Sequence, residues 1–153
     1  MLQAATTLLT GIIIAVVSAL VTVQLSLRRF RTERWWERKV QAYERVIAAL
    51  HDAKAFAEEH FEANMLGREL PKEQDEDLRA RSKVAHEEIA KAIDIGAFLL
   101  SDEALERLKQ YRKEEDEAGE TNSWFEYLDA DLAATGKCLK DLIVIAKKDL
   151  QIK

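Results

Sequence analysis

The sequence has few of the residues on which most disulfide-rich and phosphate-binding proteins depend. It contains one cysteine, one proline and five glycines among 153 residues. A lone Cys138 excludes an intramolecular disulfide framework and is typical of a reducing compartment. The glycines, at positions 11, 67, 96, 119 and 136, stand apart from one another, so the clustered glycines of a phosphate-binding loop are missing.

Charge is absent from the first part of the sequence. Between Met1 and Leu27 there is no Asp, Glu, Lys or Arg, so all 51 charged side chains lie in the remaining 126 positions. Within this part, residues 8–27 form a run of twenty residues, LLTGIIIAVVSALVTVQLSL. As a helix such a run rises about 30 Å, which is the hydrocarbon thickness of a bilayer. We therefore predict one transmembrane helix within residues 1–27.

A cleaved signal peptide is the competing interpretation of the same run. Val17, Ser18 and Ala19 place small residues at a cleavage-like spacing. Against it, no Lys or Arg precedes Leu8, the apolar run continues past Ala19, and the basic cluster follows the run instead of preceding it. These three departures favour the transmembrane helix.

The next twelve residues, RRFRTERWWERK at 28–39, combine six basic, two acidic and three aromatic side chains. We call this segment the basic collar. Positive residues beside a span stay on the cytoplasmic side, where anionic headgroups attract them, and aromatic rings are typical of the headgroup belt. The pattern predicts an outside N-terminus and a cytoplasmic C-terminal part, with a bacterial inner membrane as the expected location. The predicted headgroup contacts are Arg28, Arg29, Phe30, Arg31, Arg34, Trp35, Trp36, Arg38 and Lys39.

Nucleic-acid binding is the alternative explanation of an arginine and aromatic cluster. Residues 40–153, however, hold 17 basic and 26 acidic residues, a net charge of −9. No basic stripe continues into this part to follow a phosphate backbone. We therefore expect no nucleic-acid partner.

Apolar residues after the collar recur at alternating steps of three and four, which is the pattern of packed helices. No alternating strand pattern occurs. We predict an all-α fold in which the transmembrane helix continues into a long cytoplasmic helix and is followed by an antiparallel bundle of about four helices, at 40–153. The first helix should end near Gly67, the second start near Asp75 or Glu76, the third follow a Ser101 cap, and the fourth follow Asn122 or Ser123. The predicted inward-facing rows are Trp36, Val40, Tyr43, Ile47, Leu50, Ala57 and Phe61; Leu78, Ser82, Ala85, Ile89, Ala92, Gly96 and Leu99; Leu105, Leu108 and Tyr111; and Phe125, Leu128, Leu132, Thr135, Leu139, Leu142, Ala146 and Leu150.

The usual motifs of catalysis and metal binding fail in this sequence. None of His51, His60 and His86 has a glutamate three positions before it, as a di-iron carboxylate bundle requires. The run from His86 to Ala90 starts like a zincin helix but has alanine in place of the second histidine. We predict surface histidines, a buried structural Cys138, no cofactor or metal, and no enzymatic activity.

Two rows of residues in the predicted span could serve contacts between chains. A stripe of small and weakly polar residues follows one helix face, and such stripes let membrane helices associate closely. A second row repeats every seven residues and places a glutamine near each membrane face, which would suit a narrow pore in an oligomer. The first row, the association stripe, is Thr7, Gly11, Ala15, Ser18, Thr22 and Ser26; the second, the pore row, is Gln3, Thr10, Val17 and Gln24.

These features favour a self-associating, single-pass membrane protein that presents an acidic helical bundle for docking or sensing. The alternative is an oligomeric membrane-perturbing effector or small channel that the bundle gates. One compact domain on one minimal span is an architecture found among bacterial defence and toxin effectors, although no motif supports that analogy. The expected partners are an anionic bilayer and a second copy or a membrane protein, and no small-molecule ligand is identified.

Overall fold

The computed structural model describes the backbone of residues 2–152 and the side chains of residues 17–152. Within that part the chain is all-helical and contains no strand, which confirms the predicted fold class and the four-helix count. A short 3₁₀ turn, Gly96–Phe98, follows the second helix. The helices are α1 at Leu2–Met65, α2 at Lys72–Ile95, α3 at Asp102–Gly119 and α4 at Trp124–Asp149.

The chain divides into two compact units, Met1–Glu37 and Arg38–Lys153. In the first unit, the side chains from Val17 onward are exposed. Two threonine hydroxyls there donate to the carbonyl four residues earlier, Thr22 to Ser18 at 2.8 Å and Thr32 to Arg28 at 3.0 Å. Because these bonds lie within one turn, they satisfy the hydroxyls without a partner helix.

Among the residues that the structure describes, no helix is long and apolar enough to cross a bilayer. The predicted span therefore receives no support from that part of the chain. Its residues up to 16 lie outside the described side chains.

The second unit is an up-and-down bundle, as ion pairs between helices demonstrate. Asp52 of α1 pairs with Arg81 of α2, and His60 lies beside Asp75, so the two helices run in opposite directions. Between α3 and α4, Lys148 pairs with Glu103 at 2.7 Å while Arg107 pairs with Asp141 at 2.9 Å. Short connections between sequential helices give this antiparallel arrangement.

The bundle core forms where the predicted apolar rows meet. Tyr43, Leu50, Leu108, Tyr111 and Leu142 are each at most 1% exposed. A smaller cluster of Phe56, Leu78 and Leu128 lies toward the α1–α2 connection. The predicted row of α2 is largely correct, since its members Leu78, Ser82, Ala85, Ile89 and Gly96 are buried.

The predicted row of α1 is only partly correct. Val46, Ala53 and His60 are also buried, so the inward face is wider than the predicted single row. Trp36 is 49% exposed and does not belong to the core. Lys54, which interrupts the predicted row, pairs with Glu58 at 2.6 Å on the outer side, and Ala53 takes the core position beside it.

Helix ends follow their expected chemistry with one correction. The hydroxyl of Ser101 accepts from the Ala104 amide, and that of Ser123 accepts from the Glu126 amide, so both serines are N-caps. Gly67 has φ of 60°, which suits a glycine beyond a helix C-terminus. The start of α2 was predicted too late: the helix begins at Lys72, directly after Pro71, whose fixed φ favours a first turn.

A group of three hydrogen bonds joins residues that are far apart in the sequence, at one end of the bundle. The Tyr43 hydroxyl donates to Asp149 Oδ2 at 2.7 Å, and Lys39 Nζ donates to Asp149 Oδ1 at 2.7 Å. The Ser101 amide in turn donates to the Tyr43 hydroxyl at 3.2 Å. We call this group the Tyr43 clasp, because it ties α1 to the end of α4 and to the start of α3.

Candidate functional site

A groove of about 600 Å³ opens on the surface of the bundle. Residues of α2 and α3 line its length, and Phe56 of α1 and Tyr127 of α4 complete the wall. His86 and Glu115 lie in this groove among the charged side chains of Arg79, Lys83 and Arg112. A volume of this size is typical of small-molecule sites. Those sites are lined mostly by apolar side chains, whereas the lining of this groove contains many charged ones.

The His86 imidazole bridges two hydrogen-bond acceptors across the groove. Its Nδ1 lies 2.6 Å from the Ser82 carbonyl oxygen, one turn earlier on α2. Its Nε2 lies 2.9 Å from Glu115 Oε1 on α3. The bond with Glu115 raises the pKa of His86 above its ordinary value, against the opposing effect of burial. The pair therefore favours an imidazolium that joins two helices.

Asp131 of α4 adds a buried carboxyl to the same region. It is 1% exposed, and its Oδ2 has no hydrogen-bond partner. Its Oδ1 lies 3.3 Å from the Thr135 hydroxyl, which makes a shorter bond of 2.7 Å to the Asp131 carbonyl. Burial raises the pKa of Asp131 to about 6, while the charge of His86 acts to lower it. Few donors face this carboxyl, so its ionised form is poorly satisfied.

Two tyrosines complete this polar region. The Tyr111 hydroxyl accepts from Thr135 Oγ at 3.3 Å and is fully buried. Burial raises the pKa of Tyr127 to about 12, and the charges of Asp131 and Glu115 act in the same direction. Both phenols therefore stay neutral at physiological pH, and the groups that exchange protons here are His86 and Asp131.

A second histidine occupies a different setting near the α1–α2 connection. His60 is 6% exposed, and its ring lies 4.3 Å from the Phe56 ring and 6.0 Å from the Trp124 ring. Its Nε2 is 2.9 Å from Asp75 Oδ1 without the alignment of a hydrogen bond, and its Nδ1 has no partner. Burial lowers the pKa of His60, although Asp75 acts in the opposite direction. A depression of about 330 Å³ opens beside it, walled by Trp124.

A third polar group surrounds Cys138 in the core. Arg107 Nε donates to Asp141 at 2.9 Å, and its Nη2 donates to Glu114 at 3.3 Å. Burial raises the pKa of the Cys138 thiol to about 12, against the effect of Arg107. The predicted buried, structural cysteine is confirmed, since Cys138 is free and fully buried.

Metal binding finds no support in the described part of the chain. No group of three or more His, Cys, Asp or Glu side chains among those residues has the geometry to hold an ion. The two histidine pairs are instead contacts between neighbouring helices.

The residues predicted for membrane contacts are distributed as follows. Of the association stripe, Ser18, Thr22 and Ser26 are exposed, while Thr7, Gly11 and Ala15 lie outside the described side chains. Of the pore row, Val17 and Gln24 are exposed, and Gln3 and Thr10 lie outside that part. None of the described members of either set is buried.

The collar residues fall into two groups. Arg29 pairs with Glu33 at 2.8 Å, and the Arg34 guanidinium lies 4.7 Å from the centre of the Phe30 ring. Trp35 is exposed, as are the other collar side chains through Arg38. Lys39 differs, because it is half-buried and belongs to the Tyr43 clasp of the bundle.

The buried histidine, the half-buried histidine and the buried carboxyl of the bundle were not predicted from the sequence. The prediction of surface histidines is wrong for His60, which is buried, and incomplete for His86, which is half-buried. Asp131 is absent from the predicted inward-facing row of α4, yet its carboxyl is in the core. A signal did exist: Leu128, Asp131, Thr135, Cys138 and Leu142 follow steps of three and four along α4 and are all buried.

Comparison of the chain with models of known families, with curated proteins and with solved structures finds no match.

Proposed function

We propose that the protein is a single-pass, membrane-anchored helical bundle that self-associates and offers its cytoplasmic face for docking or sensing. One observation carries the proposal: 27 residues without charge are followed at once by a collar with six basic residues. The chain's other charges belong to an acidic bundle, so the collar is the segment best suited to anionic headgroups.

The proposed orientation follows from the same asymmetry. Positive charge beside a span stays cytoplasmic, which gives an outside N-terminus and a cytoplasmic bundle. Protease added outside intact cells should leave the bundle intact, whereas protease added to inverted vesicles should digest it. Loss of the bundle in intact cells would overturn the orientation.

The association stripe supplies the proposed contact between copies. Small residues let two membrane helices approach closely, and Ser and Thr hydroxyls can bond across the interface. A single span offers no second helix of its own chain for this purpose. A second copy is therefore the partner we propose for Gly11, Ala15 and Ser18.

The bundle supplies the proposed docking or sensing surface. It joins a net charge of −9 over residues 40–153 with a groove of about 600 Å³ that holds His86 and Glu115. The charge favours a basic partner, and the groove offers side chains whose protonation can change near neutral pH.

The experiment that tests this function is the mass of the full-length protein in nanodiscs or mild detergent. We expect a defined oligomer, and we expect Gly11→Ile and Ala15→Ile to dissociate it by blocking close approach. Val16→Ile, which adds one methylene beside the stripe, is the matched control. A full-length monomer, or an oligomer indifferent to both stripe variants, would contradict self-association through the stripe.

An oligomeric membrane-perturbing effector or small channel is the second candidate, because the pore row repeats every seven residues. It requires four or more copies that place Gln3 and Gln24 toward a shared axis. Overexpression should then depolarise cells and arrest growth, and replacing Thr10 by lysine should abolish the conductance. An unchanged membrane potential would exclude the pore and leave the docking function.

A further inference from the structure

Two histidines of the bundle contact carboxylates on neighbouring helices. The surroundings of one histidine favour the protonated imidazole, and the surroundings of the other favour the neutral imidazole. His86 and Glu115 join α2 to α3 and lie close to Asp131 of α4. His60 and Asp75 join α1 to α2. We call the first set the α2–α3–α4 joint and the second the α1–α2 joint.

In the α2–α3–α4 joint the protonated imidazole is the better satisfied form. Both ring nitrogens of His86 face acceptors, the Ser82 carbonyl at 2.6 Å and Glu115 Oε1 at 2.9 Å. A carbonyl oxygen donates nothing, so Nδ1 must carry a proton to use that contact. A second proton on Nε2 would complete the contact with Glu115.

The carboxyl of Asp131 favours a proton for a separate geometric reason. It is 1% exposed, and its Oδ2 has no donor within hydrogen-bond reach. The ionisable groups that influence it from the packed helices are His86 on α2, Glu115 and Tyr111 on α3, and Tyr127 on α4. Phe56, which reaches the same groove from α1, carries no charge. Protonation would remove a buried charge that lacks hydrogen-bond donors.

In the α1–α2 joint the neutral imidazole is the better satisfied form. His60 is 6% exposed between Phe56 and Trp124, and a proton on Nδ1 would be buried without an acceptor. Asp75 acts in the opposite direction, but the charge of Arg79, whose Nε donates to both Asp75 oxygens at 3.0 Å, acts together with burial against the protonated imidazole. The charged groups around His60 are Glu59 on α1, Asp75 and Arg79 on α2, and Arg68 and Glu69 of the α1–α2 connection, which line the same depression. From α4 the uncharged Trp124 packs against the ring.

We propose that the bundle contains two opposed proton-responsive joints, so that acidification tightens the contact among α2, α3 and α4 and loosens the contact between α1 and α2. Acidification would then stabilise the contact among α2, α3 and α4 at the same time as it destabilises the contact between α1 and α2. The α1–α2 end of the bundle would therefore open first. This response to pH goes beyond the membrane function proposed above and requires neither a bilayer nor a second copy.

The direction of each pKa shift agrees with this geometry. The contact with Glu115 raises the pKa of His86, and burial raises the pKa of Asp131 to about 6, so both groups stabilise the folded state at low pH. Their contribution is lost as pH rises through the folded values. Burial lowers the pKa of His60, so its contribution is present above about pH 6.5 and is lost as pH falls through the folded value.

Amide hydrogen exchange of the full-length protein at pH 4.5 and 7.5, expressed as protection factors, tests the proposal. On going to pH 4.5, amides of residues 126–138 should gain protection relative to Asp131→Asn, by up to about 30-fold, because pH 4.5 lies between the unfolded value of 3.8 and the folded value of about 6. Amides of residues 56–63 should lose protection relative to His60→Gln. Asp129→Asn and His51→Gln, exposed neighbours on the same helices, are the matched controls and should behave as the unchanged protein does.

A titration of the unchanged protein keeps the proposal testable if a variant fails to fold. Imidazole resonances followed by NMR should show His60 titrating below, and His86 above, the ordinary histidine value of about 6.5. A reversed order of the two midpoints would overturn the proposal. The proposal would also be overturned if residues 56–63 and 126–138 showed the same pH response and kept it in His60→Gln and in Asp131→Asn.

Discussion

At the scale of single residues, the thiol of Cys138 gives the simplest prediction. Cys138 is fully buried, and burial raises its pKa to about 12. Because the thiolate is the reactive form, alkylation at pH 8 should be about 1,000-fold slower than for an ordinary thiol, before any effect of access. Iodoacetamide labelling followed by mass spectrometry measures this rate.

The control for that labelling is an exposed cysteine in the same bundle. Val84→Cys places a thiol at a position of α2 that is 58% exposed. This thiol should be alkylated at the rate of an ordinary exposed thiol. Labelling of Cys138 should reach the same rate once urea unfolds the chain. Fast labelling of Cys138 in the native protein would contradict its buried position.

The Tyr43 clasp gives a second prediction at this scale. Tyr43→Phe removes a hydroxyl that donates to Asp149 Oδ2 at 2.7 Å and leaves the ring's packing in place. A hydrogen bond to a charged group contributes about 1.5–3 kcal/mol, so the free energy of unfolding should fall by that amount. Urea titration measures the loss. Tyr127→Phe is the control, since the described part of the chain shows no hydrogen bond to that hydroxyl, and an equal loss there would refute the role of the clasp.

At the scale of helices and their connections, two glycines should respond to alanine with opposite signs. Gly67 has φ of 60°, where an L side chain is strained by about 1–2 kcal/mol, so Gly67→Ala should destabilise the bundle by about 1 kcal/mol. Gly136 lies within α4 with nothing within 4 Å of an added Cβ. Gly136→Ala should therefore stabilise by about 0.5–1 kcal/mol. Thermal unfolding of both variants checks the pair, and equal signs would contradict it.

The helices could be predicted from sequence because local chemistry determines their ends. Ser101 and Ser123 are caps as expected, and most of the predicted α2 row is buried. The predicted α4 row is only partly correct, because Phe125 is exposed and Leu132 and Leu139 are half-buried. The start of α2 was missed because the charged stretch after Pro71 has no apolar residue before Leu78 to indicate a helix. Periodicity alone locates such a helix only from its apolar face onward.

The polar interior could not be predicted in the same way. His60 and Asp131 are buried because neighbouring helices cover them. Trp124 of α4 packs on His60 together with Phe56 of the same helix as the histidine, and Tyr111 of α3 closes the polar region around Asp131 together with Thr135 of α4. Their burial depends on how the helices rotate against one another, which a single apolar row does not define. Motif searches failed here because these pairs span helices and have no fixed spacing in sequence.

At the scale of the whole molecule, pH should alter stability through the buried carboxyl. Burial raises the pKa of Asp131 from 3.8 to about 6, so the folded state holds a proton that the unfolded chain releases. Its contribution to stability is present below pH 3.8 and is lost by about pH 6, a change of up to about 3 kcal/mol at 1.36 kcal/mol per unit. Asp131→Asn removes this dependence.

The variant should therefore be more stable than the unchanged protein at pH 7.5 and nearly equal to it at pH 4. Urea midpoints across that range measure the difference. Because other carboxylates also respond to acid, Asp129→Asn at the exposed neighbouring position is the reference. A constant difference between Asp131→Asn and the unchanged protein at every pH would show that the carboxyl does not titrate as inferred.

The Tyr43 clasp also has a consequence for the order of events during protein synthesis. Lys39 and Asp149 are 110 positions apart, so at about 5–20 residues per second the ribosome needs roughly 5–20 s to make the second partner after the first. During that interval the inward face of α1 has no α4 to cover it. Tyr43 and Leu50 are then available to a chaperone, and the bundle can close only after Asp149 has been made.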